Sequence, residues 1–192
     1  MSWRCHIDHV NKKLRQLTSI FYKVRKKIPK GNLRTLYFAF AYPIICYAVE
    51  IYANANKTAL DQLFKSNNRI LRILQFKPLR STTKELYKCY NTLPVYLLHE
   101  YKLCIFIFKY FYFPSLLPPA LKSYLKQNKD INTYTTRQNL NLFVERCNSS
   151  LGKRKLNFHA AVIWNGLPKN LRTSQTLNNF KKCCIEYKLT QL

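Results

Sequence analysis

Apolar residues recur every three or four positions near the start of the chain, and this spacing constrains its fold more than any other feature. The positions are Ile7, Val10, Leu14, Leu17, Phe21, Val24 and Ile28. Because an α-helix completes a turn in about 3.6 residues, such residues form one stripe along its length. We therefore expect a helix from His6 to Ile28 that buries this stripe, with Pro29 and Gly31 ending it.

The remaining faces of this helix are basic. They carry Lys12, Lys13, Arg15, Lys23, Arg25, Lys26 and Lys27. One interpretation is a solvated face on a core helix. The other is a helix that packs on one side and contacts phosphates on the other, and the charge of the whole chain favours it.

That charge is extreme. The 192 residues include 33 lysines and arginines but only 8 acidic residues, which gives a formal net charge of +25. A folded domain with this imbalance repels itself unless an anion compensates. Nucleic acid is the commonest such partner, and an anionic membrane surface is the second. A merely soluble basic protein is the third interpretation, which so large a charge disfavours.

Two more helices are predicted in the first half of the chain. Leu33 to Ala53 is strongly apolar, and Pro43 within it predicts a kink or a break. Thr58 and Asp61 have the spacing of a capping box and predict a helix that runs to about Phe76. The cations that this helix turns to solvent are Lys65, Arg69 and Arg72.

Threonines mark the starts of two later helices. Thr82 with Glu85 repeats the capping pattern before a short helix through Tyr90. Thr176 caps the last helix, for which we expect Leu177, Phe180, Cys184 and Tyr187 to face inward and Lys181, Lys182 and Lys188 to face outward.

The most hydrophobic segment follows Pro94 and runs to Phe113. A membrane-spanning helix needs about twenty mostly apolar residues. Glu100, Lys102 and Lys109 interrupt this segment. We therefore expect a buried core helix, with a membrane-facing helix as the alternative.

The rest of the chain is less regular. Residues 126–141 are polar and predict a linker or an extended arm. Leu142 and Val144, then Leu156 and Phe158, predict short strands around the basic turn that holds Lys153 and Arg154. The expected fold is therefore mainly α, with a small α+β segment at the C-terminal end.

The tryptophan after this turn has two interpretations. Trp164 shares its run with Phe158, Ala160, Ala161 and Val162, and small apolar neighbours favour a packing role over a base-stacking role. Leu167 and Pro168 would end the run. Lys153, Arg154 and Lys155 stay candidates for phosphate contacts at its edge.

The sequence lacks the patterns of common catalytic sites. Only three glycines occur, which excludes glycine-rich nucleotide loops. The aspartates Asp8, Asp61 and Asp130 fall in different segments, whereas two-metal catalysis needs carboxylates brought together. We therefore expect no catalytic residue, no metal and no cofactor in this chain, and no enzyme activity by itself.

Seven cysteines are scattered and never have the CxxC spacing. With no signal peptide visible at the N-terminal end, they indicate reduced thiols in an intracellular protein, nuclear or cytoplasmic and not secreted. Cys5, His6 and His9 lie close together, but no second pair of ligands follows at zinc-finger spacing.

Several short blocks occur in a characteristic order. They are Trp3 with His6-Ile7 and Val10; Leu36-Tyr37; Tyr42-Pro43 with Ile45 and Tyr47; Asn68-Arg69 with Leu71-Arg72-Ile73; Glu85-Leu86-Tyr87 with Leu93-Pro94; Thr136-Arg137-Gln138; Gly152-Lys153-Arg154; Ala160-Ala161; Trp164-Asn165 with Leu167-Pro168; Leu171-Arg172; and Phe180-Lys181. In this order the chain resembles the region that follows the polymerase palm in reverse transcriptases of non-LTR (LINE-type, jockey-like) retrotransposons. The resemblance covers essentially the whole chain.

The resemblance implies a four-part organisation. Residues 1–76 would form a helical thumb-like region and residues 77–125 an apolar helical segment. Residues 126–141 would be the linker, and residues 142–192 a small C-terminal segment with the GKR and WNxLP motifs. In such a thumb, phosphate contacts hold the template–primer duplex without reading its bases. Beyond the first helix, the expected contacts are Arg69, Arg72, Arg137, Lys153 and Arg154.

The chain also departs from the family. Met1 begins where the palm ends, so the aspartates that bind Mg²⁺ in the parent polymerase have no counterpart here. The dipeptides Tyr47-Ala48 and Ile51-Tyr52 stand where a glycine and a tryptophan are commoner. The expected partners are RNA, DNA or an RNA–DNA hybrid, and also the missing palm or another retroelement protein. The alternatives are a host-adopted basic nucleic-acid-binding or interaction protein and, less favoured, a basic membrane-surface protein.

Overall fold

The protein is mainly α-helical. A computed structural model describes residues 3–121, 124–131 and 137–192, so Met1, Thr136 and parts of the predicted apolar segment and linker lie outside the described residues. The helices are α1 (Arg4–Val24), α2 (Lys30–Leu36), α3 (Tyr42–Cys46), α4 (Val49–Tyr52), α5 (Lys57–Leu74), α6 (Thr83–Tyr90), α7 (Val95–Tyr112), α8 (Leu156–Asn165), α9 (Lys169–Arg172) and α10 (Leu177–Thr190).

The chain forms two compact units, each described by itself. The first contains Met1–His99 and Ile185–Leu192, and the second contains Glu100–Cys184. This division follows contacts in space, whereas the four segments given above follow from the resemblance and stay predictions.

The centre of the first unit is the packing of α1 on α5. Four members of the predicted stripe are confirmed as core, since α1 buries Ile7, Val10, Leu14 and Phe21. The predicted C-terminal end is wrong, because α1 ends at Val24 and Gly31 belongs to α2. Two polar contacts fix how the helices lie against each other. Asn11 bonds to Gln62 in the first half of α5 and to Ser66 near its middle. Arg25, just after α1, donates from Nη1 to the carbonyl of Ile73 at 3.2 Å near the C-terminal end of α5. The two helices therefore run side by side in the same direction.

A buried polar network ties α5 to its other neighbours. The hydroxyl of Tyr37 donates to Oδ1 of Asn67 at 3.2 Å, and Nδ2 of Asn67 donates to the hydroxyl of Tyr87 at 3.0 Å. Burial raises the pKa of Tyr37 to about 12, and it raises the pKa of Tyr87 well above its ordinary value. Each hydroxyl therefore stays neutral, because ionisation would leave a charge in the core.

The helix predicted from Leu33 to Ala53 is interrupted, but not at Pro43 as expected. A π-helical turn over Tyr37–Ala41 joins α2 to α3, and Pro43 lies in the first turn of α3. Proline fits there, because it has no backbone N–H to leave unpaired. The helix ends instead at Tyr47, which is extended, and Ala48 adopts the left-handed region with φ of 55° before α4 begins.

The predicted helix caps have mixed outcomes. The Thr58–Asp61 box is wrong, because α5 begins earlier and Asn56 occupies the N-cap position. Thr82 does occupy the N-cap position of α6, but its hydroxyl does not bond to the first turn. Thr176 is confirmed as a cap, since its hydroxyl accepts the N–H of Asn179 at 3.3 Å.

The C-terminal end of α5 contains an unusual residue. Lys77 N–H bonds to the carbonyl of Arg72 at 3.0 Å, and Phe76 N–H points to the carbonyl of Ile73 at 3.4 Å. These two bonds define a Schellman motif, whose left-handed position normally holds glycine. Here Phe76 holds it with φ of 53°, a conformation that costs a residue with a Cβ about 1–2 kcal/mol.

The second unit is built on an aromatic cluster. Phe108 of α7 stacks on Phe180 of α10 at 4.3 Å between ring centroids, and Trp164 of α8 lies 6.0 Å from Phe180. Trp164 is buried, so the predicted packing role is confirmed. The helix predicted after Pro94 is also confirmed as α7. Among the described residues, no helix has both the length and the apolarity needed to cross a membrane.

The predicted strands of this unit are wrong. Leu156 and Phe158 belong to α8, where Ala160, Ala161 and Trp164 follow helical spacing and are buried. The alternation of Leu156 with Phe158 is too short to distinguish a strand from a helix. In the described residues, strand-like pairing is limited to one antiparallel bridge between Gln127 and Leu142. The described ends of the predicted linker are thus held together at this bridge.

In the last helix, α10, the exposure of one lysine differs from the prediction. Lys181 and Lys182 are accessible, but Lys188 is buried, although we expected it to face outward. Its ammonium group lies 5.9 Å from the centre of the Tyr187 ring. A lysine stem buries readily when its charged end reaches a favourable partner.

Replacing Ala48 with glycine tests the backbone description. Glycine adopts a positive φ without the steric cost that a Cβ imposes. We expect Ala48→Gly to raise the free energy of unfolding by about 1 kcal/mol in a urea titration. Ala59→Gly, within α5, is the matched control and should lower it by about 1 kcal/mol. Equal losses for both variants would contradict the left-handed conformation of Ala48.

Candidate nucleic-acid interface

The exposed side of α1 is a row of cations. Lys12, Lys13, Arg15 and Lys23 are all exposed, while the opposite side of the helix is buried. Lys12 and Lys23 are eleven residues apart on the same side, which corresponds to about 16 Å along the helix axis. A single strand of duplex nucleic acid carries a phosphate about every 3.4 Å along its axis. The row is therefore long enough to follow several successive phosphates.

The junction between α1 and α5 continues this surface. Asn11, Arg15, Tyr22 and Arg25 are spaced by four, seven and three residues, so they share one edge of α1 and its continuation. On α5, Arg69 lies between Ser66 and Ile73, both of which contact the α1 segment. We call the line along which these residues of α1 and α5 meet the α1–α5 seam. Arg15 and Arg69 are exposed along it.

Within α1 and α5 themselves, the acidic residues lie toward the N-terminal ends. Asp8 lies in the first half of α1 and Asp61 in the first turns of α5. The sequence then contains no acidic residue between Asp8 and Glu50, or between Asp61 and Glu85. The C-terminal halves of α1 and α5 therefore carry basic residues and no acidic ones.

Two predicted contacts have structural partners. Arg25 bonds to Ile73, and its guanidinium lies 4.6 Å from the centre of the Tyr22 ring and 4.9 Å from that of Phe76. Arg72 donates from Nη2 to the carbonyl of Ser81 at 3.3 Å. Both arginines therefore stabilise the ends of helices, in addition to adding charge. Lys26 and Lys27, which follow Arg25, are exposed.

The remaining three predicted contacts belong to the second unit. Lys153 and Arg154 lie together in a short 3-10 turn, Gly152–Arg154, and Arg137 lies in a separate turn. All three side chains are exposed. The turn needs its glycine, because a Cβ on Gly152 would lie 2.0 Å from Sγ of Cys147. The GKR motif thus combines a packing requirement with exposed charge.

Sequence reasoning missed three residues that the structure places beside the seam. They are Tyr22, Lys30 and Phe76, which surround Arg25 or lie next to it. The sequence did contain an indication of this site. In the run from Phe76 to Arg80, which connects two helices, aromatic, basic and apolar residues are mixed. The indication at Tyr22 was weaker: it is an aromatic residue among the basic residues of α1.

The described residues contain no group of three or more histidine, cysteine or acidic side chains placed to hold a metal ion. Burial lowers the pKa of His159, with Glu100 acting in the opposite direction.

Comparison of the chain with protein-family models, curated proteins and solved structures finds no match.

Replacing single cations should show which of them stabilise the fold and which are only exposed on the surface. We expect Arg25→Gln to lower the free energy of unfolding by about 1–2 kcal/mol, because it removes a charged hydrogen bond and two ring contacts. Lys23→Gln, two residues earlier and exposed, is the matched control and should change it by less than about 0.5 kcal/mol. Chemical denaturation measures both, and a loss of equal size in both variants would contradict the assignment.

Proposed function

We propose that this chain is a nucleic-acid-binding region that corresponds to the thumb and post-palm part of a non-LTR retrotransposon reverse transcriptase. Its first unit would hold a template–primer duplex through phosphate contacts from the exposed cations of α1 and the α1–α5 seam. The single observation that carries the proposal is the geometry of α1. Its apolar stripe is buried, and the cations on its other side form an accessible row.

Charge supports an anionic polymer as the partner. A net charge of +25 on 192 residues repels itself, and repulsion along α1 is strongest where its lysines are close together. A single small anion would neutralise one or two of these charges. A phosphate backbone presents charges at regular intervals along the whole row, and its bound counterions are released when lysines replace them.

The type of side chain supports contact with the backbone and not with base edges. Lys12, Lys13 and Lys23 are flexible point charges on a convex helix surface, which suits phosphate oxygens. Such contacts fix the position of a duplex without selecting its sequence. This property suits a polymerase subdomain, which must hold any template.

Several residues of the resemblance have specific structural tasks, which supports the family proposal. Asn165 accepts the N–H of Leu142 at 3.0 Å and donates to the carbonyl of Leu142 at 2.8 Å. Leu167 is buried. Ala48 adopts the conformation that favours glycine, close to where the family has one. These blocks therefore mark positions with defined roles in this fold.

The proposed role is binding and not catalysis by this chain alone. In the family that the chain resembles, aspartates of the palm hold Mg²⁺ for the chemical step. The cations of α1 would keep the duplex in register for such a site.

The salt dependence of binding tests this function. We expect affinity for an RNA–DNA hybrid, measured by fluorescence anisotropy, to fall with salt at a log–log slope of about −0.9 per phosphate contact. A variant with Lys12, Lys23, Lys26 and Lys27 changed to glutamine should bind more weakly and with a shallower slope.

The matched control changes Lys84, Lys88, Lys169 and Lys182 to glutamine. These lysines are also exposed but lie outside the predicted contacts, and the net charge falls by the same amount. The control should keep a slope close to that of the unchanged protein. Equal effects of the two variants, or no salt-sensitive binding to hybrid or duplex by the unchanged protein, would contradict the proposed function.

A further inference from the structure

Two exposed aromatic rings lie at the C-terminal end of the α1–α5 seam. The Arg25 guanidinium lies between them, 4.6 Å from the Tyr22 ring and 4.9 Å from the Phe76 ring. The ammonium group of Lys30 lies 5.8 Å from the Phe76 ring. We call these four residues the Tyr22–Phe76 platform. Tyr22 belongs to α1 and Arg25 directly follows it, Lys30 begins α2, and Phe76 is the second residue after α5.

Both rings remain accessible despite these contacts. Tyr22 is 58% exposed and Phe76 is 44% exposed. Arg25 occupies one side of each ring, and its hydrogen bond to Ile73 holds it in place. The rings are therefore fixed by a shared cation, and much of their surface stays open to a ligand.

The backbone at Phe76 indicates that its ring has a task beyond ending the helix. The left-handed position of a Schellman motif favours glycine, and the equivalent position of α6 is held by Asn91, a residue that tolerates it. A phenylalanine at this position is strained and half exposed, so neither backbone preference nor burial explains it fully. Residues held in strained conformations concentrate at functional sites.

The charge around the platform restricts its ligand. The residues next to the platform in the sequence include five exposed cations: Lys23, Lys26, Lys27, Lys77 and Arg80. The nearest acidic residue along the chain from Phe76 is Glu85, and from Tyr22 it is Asp8. A ligand with a flat aromatic surface and negative charges beside it matches this arrangement. A purely apolar partner would bring these cations close to a surface that cannot compensate them.

We propose that the Tyr22–Phe76 platform stacks an unpaired nucleobase of a nucleic acid whose phosphates lie on the neighbouring lysines. Every base presents a flat π-surface, so this contact does not depend on sequence. The chain then prefers nucleic acid in which single-stranded nucleotides lie at the end of the seam. This inference rests on the proposed function and adds a ligand feature, the unpaired base, that phosphate contacts alone do not require.

Comparison of two single-stranded probes separates bases from phosphates. One is an oligouridylate about twelve nucleotides long, a length within the range of sites on single strands. The other is an abasic oligonucleotide of the same length and charge. We expect the protein to bind the first about 5- to 150-fold more tightly, as one stacked base contributes.

Two variants locate the effect. Phe76→Leu and Tyr22→Leu each keep an apolar side chain and remove the aromatic surface. Each should reduce affinity for the oligouridylate about 5- to 150-fold and leave affinity for the abasic probe unchanged. Tyr47→Leu is the matched control, because Tyr47 is 72% exposed and contacts His6, near the other end of α1. It should leave both affinities unchanged.

The outcomes distinguish this inference from the function on which it rests. Equal binding of both probes by the unchanged protein, with salt sensitivity retained, would overturn the platform and keep the phosphate interface. Loss of affinity for both probes in the two leucine variants, with unfolding curves unchanged, would also overturn stacking. No salt-sensitive binding of any nucleic acid would overturn both proposals.

Discussion

The parallel packing of α1 along α5 is the interaction on which the rest of the first unit depends. Leu14 and Phe21 supply apolar contacts, and the hydrogen bonds of Asn11 and Arg25 fix the packing at two points along its length. Rotating α1 by one residue, about 100°, would bury lysines and expose the stripe. The packing therefore determines at once which residues form the core and which form the cationic surface.

This packing also gives the basic residues different roles. Arg25 and Arg72 bond to carbonyls close to the ends of helices, so part of the positive charge stabilises the fold. Lys12 and Lys23 have accessible positions on α1 and add repulsion in the free protein. Under the proposed function, an anionic polymer would relieve that repulsion and would stabilise the first unit on binding. The Tyr22–Phe76 platform lies where the two kinds of residue meet.

The long helices could be predicted because their periodicity extends over several turns. The stripe of α1 and the apolar run of α7 are examples, and the basic side of α1 followed directly from the first. Short elements and single-residue conformations depend on contacts with residues that are distant in the sequence. A local sequence pattern holds no information about those contacts. Leu156 and Phe158 alternate like a strand but join a helix that packs through Trp164. The surrounding structure likewise determines that Lys188 is buried. It also determines the left-handed conformations of Ala48 and Phe76.

Lysine acetylation with mass-spectrometric readout tests the central claim most directly, because it reports each ammonium group separately in the presence and absence of an RNA–DNA hybrid. The α1 interface predicts that hybrid protects the lysines on α1 and just after it: Lys12, Lys13, Lys23, Lys26 and Lys27. Lys84, Lys88 and Lys169, which are equally exposed, should react at the same rate with and without hybrid. Protection spread evenly over all of these lysines, or concentrated on the second group, would contradict the assignment of the α1 face.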